Sequence, residues 1–147
     1  MPKILSKTST KTSIKTSNVK PYKFNQAQLQ WLEDLESGKF KKCIGSLCEV
    51  KNGREAYCCL GVACERLVPK KLIIKNEDYK TYSMEDVYLP DYVQKKLKLV
   101  DTFGPISDKT LVNLKDPSLA GLNDQLRWSF KKIAKFIRNN PRAVFTG

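Results

Sequence analysis

Twelve consecutive residues, Tyr57-Cys58-Cys59-Leu60-Gly61-Val62-Ala63-Cys64-Glu65-Arg66-Leu67-Val68, carry only two charges and run directly into Pro69. Leu60, Ala63, Cys64 and Leu67 recur at i, i+3, i+4 and i+7, the spacing of a helix face turned into a core. Pro69 disfavours helical geometry at the residue before it and so ends the element. A glycine inside a helix costs about 1 kcal/mol against alanine, so Gly61 marks a point where a second helix approaches closely. A chain built around this element has to supply other amphipathic elements to cover it.

The sequence on both sides supplies them. Asn25 and Gln28 form a capping box, and Phe24 and Leu29 stand at the positions of a hydrophobic staple. Ala27, Trp31 and Leu35, with Leu32 beside them, make one stripe, and Gly38 is the C-terminal stop, so a helix is expected over 26–37. Asn52-Gly53 signals a turn within 39–56, and Leu72-Ile73-Ile74 with Tyr79–Tyr82 reads as a small hairpin. Pro90-Asp91 opens a short helix with Val93 and Leu97 inward. Asp116-Pro117 opens another with Leu119, Leu122 and Leu126, and Ser129 caps a last one ending at Asn139-Asn140-Pro141. The fold class is therefore α+β, mainly helical: four or five helices around one core with one or two small β-hairpins. Leu29, Leu32, Leu35, Leu60, Cys64, Leu67, Leu122, Ile133 and Ile137 are the expected core.

Residues 1–20 differ in kind. They hold Lys3, Lys7, Lys11, Lys15 and Lys20, eight Ser or Thr and no acid, too little apolar surface to offset the entropy of ordering. The expectation is a disordered basic tail over 1–20 and a single globular domain over 21–147. The tail shares its Ser/Thr richness and lack of acids with transit peptides but has no arginine. Of the net charge of +12 the tail carries five, so the domain is basic as well. Such a surface attracts polyanions, nucleic acid or anionic lipid. Only five of the 27 basic residues are arginines, and lysine suits phosphate contact better than bidentate base reading. Lys131, Lys132, Lys135, Arg138 and Arg142 form the outer face of the last helix, opposite Phe130, Ile133, Ala134 and Ile137. With the tail lysines they are the candidate polyanion-binding residues.

Catalytic chemistry finds less support. Cys43, Cys48, Cys58, Cys59 and Cys64 follow C-x4-C-x9-C-C-x4-C, which lacks the C-x2-C knuckle common in zinc sites. An odd number of cysteines argues for free thiols in a reducing compartment. There is no histidine to activate a cysteine nucleophile. Glu85, Asp86, Asp91 and Asp124 stand in turn and cap contexts, where acids are structural. No P-loop or dinucleotide fingerprint occurs. Leu122–Ile137 has the start of a helix-turn-helix, but Pro141 intervenes where the recognition helix would follow. The apolar runs are far too short to span a bilayer.

Three stretches together carry a resemblance: Trp31-Leu32-x-x-Leu35-x-Ser37-Gly38-Lys39-Phe40, Tyr57-Cys58-Cys59-Leu60-Gly61-Val62-Ala63-Cys64, and Leu119-Ala120-Gly121-Leu122-Asn123-Asp124 followed by Ser129-Phe130-x-x-Ile133-Ala134-x-x-Ile137. In order and spacing, over most of residues 24–145, the chain is similar to small accessory proteins of bacteriophages and related viral genomes. The tail and the Cys43/Cys48 pair depart from that pattern. The resemblance implies a viral accessory protein acting in the host cytoplasm or virion, and no mechanism. The functional expectation is a non-catalytic protein without cofactor or membrane partner that binds nucleic acid or another polyanion. The alternative is a protein-binding or structural role, as a virion component or an inhibitor of a host protein or signalling nucleotide, with the tail ordering on its partner.

Overall fold

Asn25 Oδ1 accepts from the Gln28 amide at 2.7 Å and Gln28 Oε1 accepts from the Asn25 amide at 2.8 Å, so two orphan donors of a helix start are satisfied reciprocally. In the computed structural model, which describes residues 20–147, the helix that follows, α1, spans Gln26–Glu36. The tail expectation, with Lys3, Lys7, Lys11 and Lys15, lies outside the described residues. Lys20 is the first of these and is exposed. After α1 come the hairpin β1 (Cys48–Lys51) and β2 (Arg54–Tyr57), then α2 (Cys59–Leu67) and a single 3-10 turn at Lys70–Leu72. A second hairpin, β3 (Ile73–Lys75) and β4 (Lys80–Tyr82), precedes α3 (Asp91–Leu97), a long irregular segment, α4 (Leu119–Asp124), α5 (Phe130–Asn139) and α6 (Pro141–Val144).

The fold is a mixed α+β structure, mainly helical, with two antiparallel two-stranded sheets. The sixth helix among the described residues exceeds the expected number because Pro141 both stops α5 and, at a first helical position, starts one further turn. In the first hairpin Asn52 (φ 53°) and Gly53 (φ 76°) form the tight turn that the Asn-Gly pair signals. In the second, Asn76 Oδ1 accepts from the amides of Asp78 and Tyr79 at 2.8 and 2.9 Å. The Val50 amide donates to Asp78 O at 2.8 Å and joins the two hairpins.

The core stripe of α1 is Gln28, Trp31, Leu32 and Leu35, while Leu29 is only half-buried, a correction to the expected core. The cause is the fully buried Gln28 amide. Its Nε2 donates to Leu97 O at 2.9 Å and to the Tyr22 hydroxyl at 3.2 Å, and Asn25 Nδ2 donates to Lys96 O at 3.0 Å. The capping residues of α1 thus also fill two orphan carbonyls at the C-terminus of α3. Leu67 is likewise half-buried and the adjacent Val68 takes the inward place, because the chain leaves helical geometry there (ψ 130°). Leu32, Leu35, Leu60, Cys64, Leu122, Ile133 and Ile137 are buried as expected.

At the start of α2 the Cys58 thiol acts as the cap, its Sγ accepting from the Gly61 amide at 3.3 Å. The buried side chain of Asn123 in α4 completes the cap: Oδ1 accepts from the Cys59 amide at 3.1 Å and Nδ2 donates to Cys43 O at 2.9 Å. The close approach at Gly61 is real but its partner differs from expectation. A Cβ there would lie 1.7 Å from Leu47 O, so the neighbour is the backbone leading into β1 and not a helix. Leu47 O also accepts from the Cys58 amide at 3.2 Å, which fixes it there. Gly61→Ala is therefore expected to destabilise the protein by about 3 kcal/mol or more, opposite in sign to the gain of about 1 kcal/mol that the same change gives in an open helix. Urea unfolding monitored by circular dichroism measures it.

Candidate polyanion interface

Helix α5 is sorted by its own sequence. Phe130, Ile133, Ala134 and Ile137 recur at helical spacing and are buried, so Lys131, Lys132 and Lys135 stand in solvent. Ser129 Oγ accepts from the Lys132 amide at 3.1 Å and starts the helix. Just before it, Arg127 adopts the left-handed conformation (φ 55°), and the Trp128 amide donates to Leu122 O at 3.0 Å. This turn lays the Trp128 indole along α5, edge to face with Phe136 at 5.8 Å. The Lys132 ammonium sits over the indole, 4.4 Å from the ring centroid, a cation–π contact.

Around these rings lies a shallow depression of about 560 Å³ lined by Trp128, Lys131, Lys132, Lys135, Phe136 and the Asn139–Asn140 pair, with no acid in its wall. A second depression shares Asn139 and Asn140 and leads on to Tyr22 and Arg142, with Asp108 also in its wall. Arg142 stacks over the Tyr22 ring at 5.6 Å and donates to the Lys20 carbonyl at 2.6 Å. The point where residues 1–19 join the body is thereby tied to the end of the same helical face. Among the described residues, the ion pairs include neither Arg142 nor any of the three lysines.

Of the sequence candidates, then, Lys131, Lys132, Lys135, Arg142 and Lys20 border one continuous track. Arg138 does not join them. Its guanidinium is held by both oxygens of Glu36, at 2.6 and 2.9 Å, and serves to pin α5 to α1. In the sequence Trp128 stands at a staple position with Ile133, where a core role explains the ring as well as stacking does, and nothing there marks Phe136. Only the position of the lysines beside the two rings gives them another meaning.

A second polar cluster was not anticipated at all. A cleft of about 580 Å³ between α2 and the hairpins has Lys80 at its floor, only 7% exposed. The Lys80 ammonium lies 2.9 Å from Glu55 and 3.0 Å from Glu65, Tyr57 donates to Glu55 at 2.7 Å, and Tyr82 donates to Glu65 at 2.7 Å. Asp34 and Arg66 face each other across the rim through two 2.8 Å bonds. Burial alone would raise the Glu55 carboxyl, but hydrogen bonds from Tyr57, Lys80 and Lys75 overcome it and hold the group at about 2, against an ordinary 4.5. Burial pushes both tyrosine hydroxyls far up, so they remain donors. Glu55, Glu65, Lys75 and Lys80 are paired with one another, which describes a fastener between α2 and the two hairpins, and Lys70 stands at the edge outside these pairs.

The cysteines occupy the same interior. Burial raises Cys58 to about 12 and Cys48 to about 11, and it raises Cys43, Cys59 and Cys64 as well. All five thiols keep their protons near neutral pH, the reverse of what an activated nucleophile needs. Asp91 pairs with Lys95 on the open surface of α3, and Asp124 accepts from Asn123. Among the described residues no helix is long and apolar enough to cross a membrane.

Residues 23–141 match the family model DUF8296, a domain of unknown function, and the chain belongs to that family. No curated protein and no solved structure matches it.

Because the folded state depresses Glu55, its stabilising effect is complete above about pH 5 and is lost as pH falls from there towards 2. The melting temperature is expected to drop through that window, and Glu55→Gln to flatten the drop while lowering the neutral-pH value. Differential scanning calorimetry from pH 7 to about pH 2 reads both.

Proposed function

We propose that this member of the DUF8296 family is a non-catalytic viral accessory protein that binds nucleic acid, or a polyanion like it, through lysines and without strong sequence preference. The observation that carries the reading is the acid-free depression on α5, which lies next to Arg142 and, through it, the root of a tail that has four further lysines and no acid. Lysine ammoniums make phosphate contacts as point charges, and none of the side chains in the α5 depression is an arginine that reads bases bidentately. Host cytoplasm, with the virion as the other place where the chain meets nucleic acid, is the site of action that fits.

A second reading has its own observation. Met84 is 88% exposed, and Tyr88 and Phe103 pack edge to face at 5.3 Å while both stay largely in solvent. Exposed apolar groups of this kind suit a protein partner. Co-purification of a defined protein that survives nuclease treatment would favour this role, with the tail ordering on that partner.

The salt dependence of binding separates the two. Nine cations (Lys3, Lys7, Lys11, Lys15, Lys20, Lys131, Lys132, Lys135 and Arg142) predict a log–log slope of up to about −6 on single strands or about −8 on duplex. Changing Lys3, Lys7, Lys11 and Lys15 to Gln in the full chain is expected to reduce the slope by about 3 on single strands and about 4 on duplex, and changing Lys131, Lys132 and Lys135 to Gln by about 2 and about 3. Fluorescence anisotropy against salt measures it. A flat slope, or no binding at about 50 mM salt, would end the polyanion reading.

A further inference from the structure

We infer that the depression on α5 is a stacking site for an unpaired base, so that the ligand of this face is single-stranded nucleic acid. The inference rests on the polyanion reading above and narrows it. A duplex presents phosphates outward and keeps its base faces stacked inside, so a surface made only for duplex phosphates needs lysines alone. The α5 surface has more than lysines. At its centre are two aromatic rings, Trp128 and Phe136, both packed against the core yet partly in solvent, edge to face at 5.8 Å. Lysines border them, and Lys132 covers one face of the indole at 4.4 Å from its centroid, so a base that takes this face displaces the ammonium towards its own phosphate.

Aromatic platforms combined with a positive groove are how proteins hold single strands without reading sequence, because every base has a π-face. The rest of the track extends the same chemistry. Past Asn139 and Asn140 it reaches Arg142, exposed and held over the Tyr22 ring, whose planar guanidinium is a further surface on which a base can lie. Helix α5, ten residues long, spans about 15 Å at 1.5 Å per residue, room for roughly two or three nucleotides. The strand would then pass directly to the root of the tail at Lys20.

The protein carries its own reporter. Of its two tryptophans, Trp31 is 1% exposed with its indole N–H bonded to Cys59 O at 2.8 Å, so a ligand that changes tryptophan fluorescence acts on Trp128. The experiment titrates the full chain with an oligo(dT) of about 12 nucleotides, a duplex of the same length, and inorganic polyphosphate. Oligo(dT) is expected to quench the fluorescence and to bind at least about 10-fold more tightly than duplex, with polyphosphate binding but not quenching. Trp128→Ala is expected to weaken oligo(dT) by about 5- to 150-fold and leave polyphosphate unchanged, and Trp128→Phe to retain most of the affinity. Should Trp128→Ala fail to fold, the wild-type quenching and Trp128→Phe still decide. Equal affinity for duplex with unchanged fluorescence overturns the stacking site and leaves the polyanion reading standing. Failure of all three polyanions to bind overturns both.

Discussion

One contact between two stretches of backbone sets the rest of the structure: the first turn of α2 lies against Leu47, so close that only the hydrogen of Gly61 fits beneath the Leu47 carbonyl. That carbonyl accepts from the Cys58 amide, and the Cys58 thiol in turn accepts from Gly61. Asn123, reaching in from α4, closes the arrangement by binding the Cys59 amide and the Cys43 carbonyl together. Buried polar groups of this kind are costly unless fully paired, and here the pairing is distributed over three remote segments. The Tyr-Cys-Cys-Leu-Gly-Val and Leu-Asn-Asp stretches are therefore two halves of one fastening, and no catalytic role is needed to explain their residues.

From that fastening the basic face follows by exclusion. Trp31 hydrogen-bonds the first turn of α2 and so places α1, and α1 packs against α5, to which the Glu36–Arg138 pair pins it. Once the apolar stripe of α5 is committed inward, Lys131, Lys132 and Lys135 have nowhere to go but solvent. Four acids of the body are meanwhile engaged elsewhere: Glu55 and Glu65 hold Lys80, Asp34 holds Arg66, and Glu36 holds Arg138. Among the described residues, Lys131, Lys132 and Lys135 share one helix face without an ion pair, close to the segment that joins at Lys20, while other unpaired lysines such as Lys39, Lys51, Lys70 and Lys96 stand elsewhere on the body. Charge distribution, more than net charge, makes the case for a polyanion partner.

Local signals were legible in the sequence and remote ones were not. The capping box at Asn25, the Asn52-Gly53 turn, Ser129 as a cap and the stripe of α5 each depend on residues a few positions apart, and each forms where its pattern says. Gly61 was legible as a close approach, but its neighbour was not, because nothing in the periodicity says that Leu47 presents backbone instead of a helix. Leu29 and Leu67 fell short of the core for similarly non-periodic reasons: the amide of Gln28 is drawn inward by the Leu97 carbonyl, 69 residues away, and α2 unwinds at Val68. The Lys80 cluster was invisible because Glu55, Glu65 and Lys80 come from two hairpins and a helix with no common period. At the candidate interface, the lysines were readable as a helix face, the diversion of Arg138 to Glu36 was not, and the meaning of Trp128 emerged only with the cations around it.

The most direct measurement is residue-level mapping of the bound face. Backbone amide and indole NMR shifts of the isotope-labelled full chain, followed while an oligonucleotide is added at low salt, would show where the ligand lies. The account predicts that the changes concentrate on Trp128 through Arg142 and on Lys20, with the walls of the Lys80 cleft undisturbed. Changes centred on Lys70, Lys75 and Lys80, or spread evenly over every lysine of the body, would contradict it.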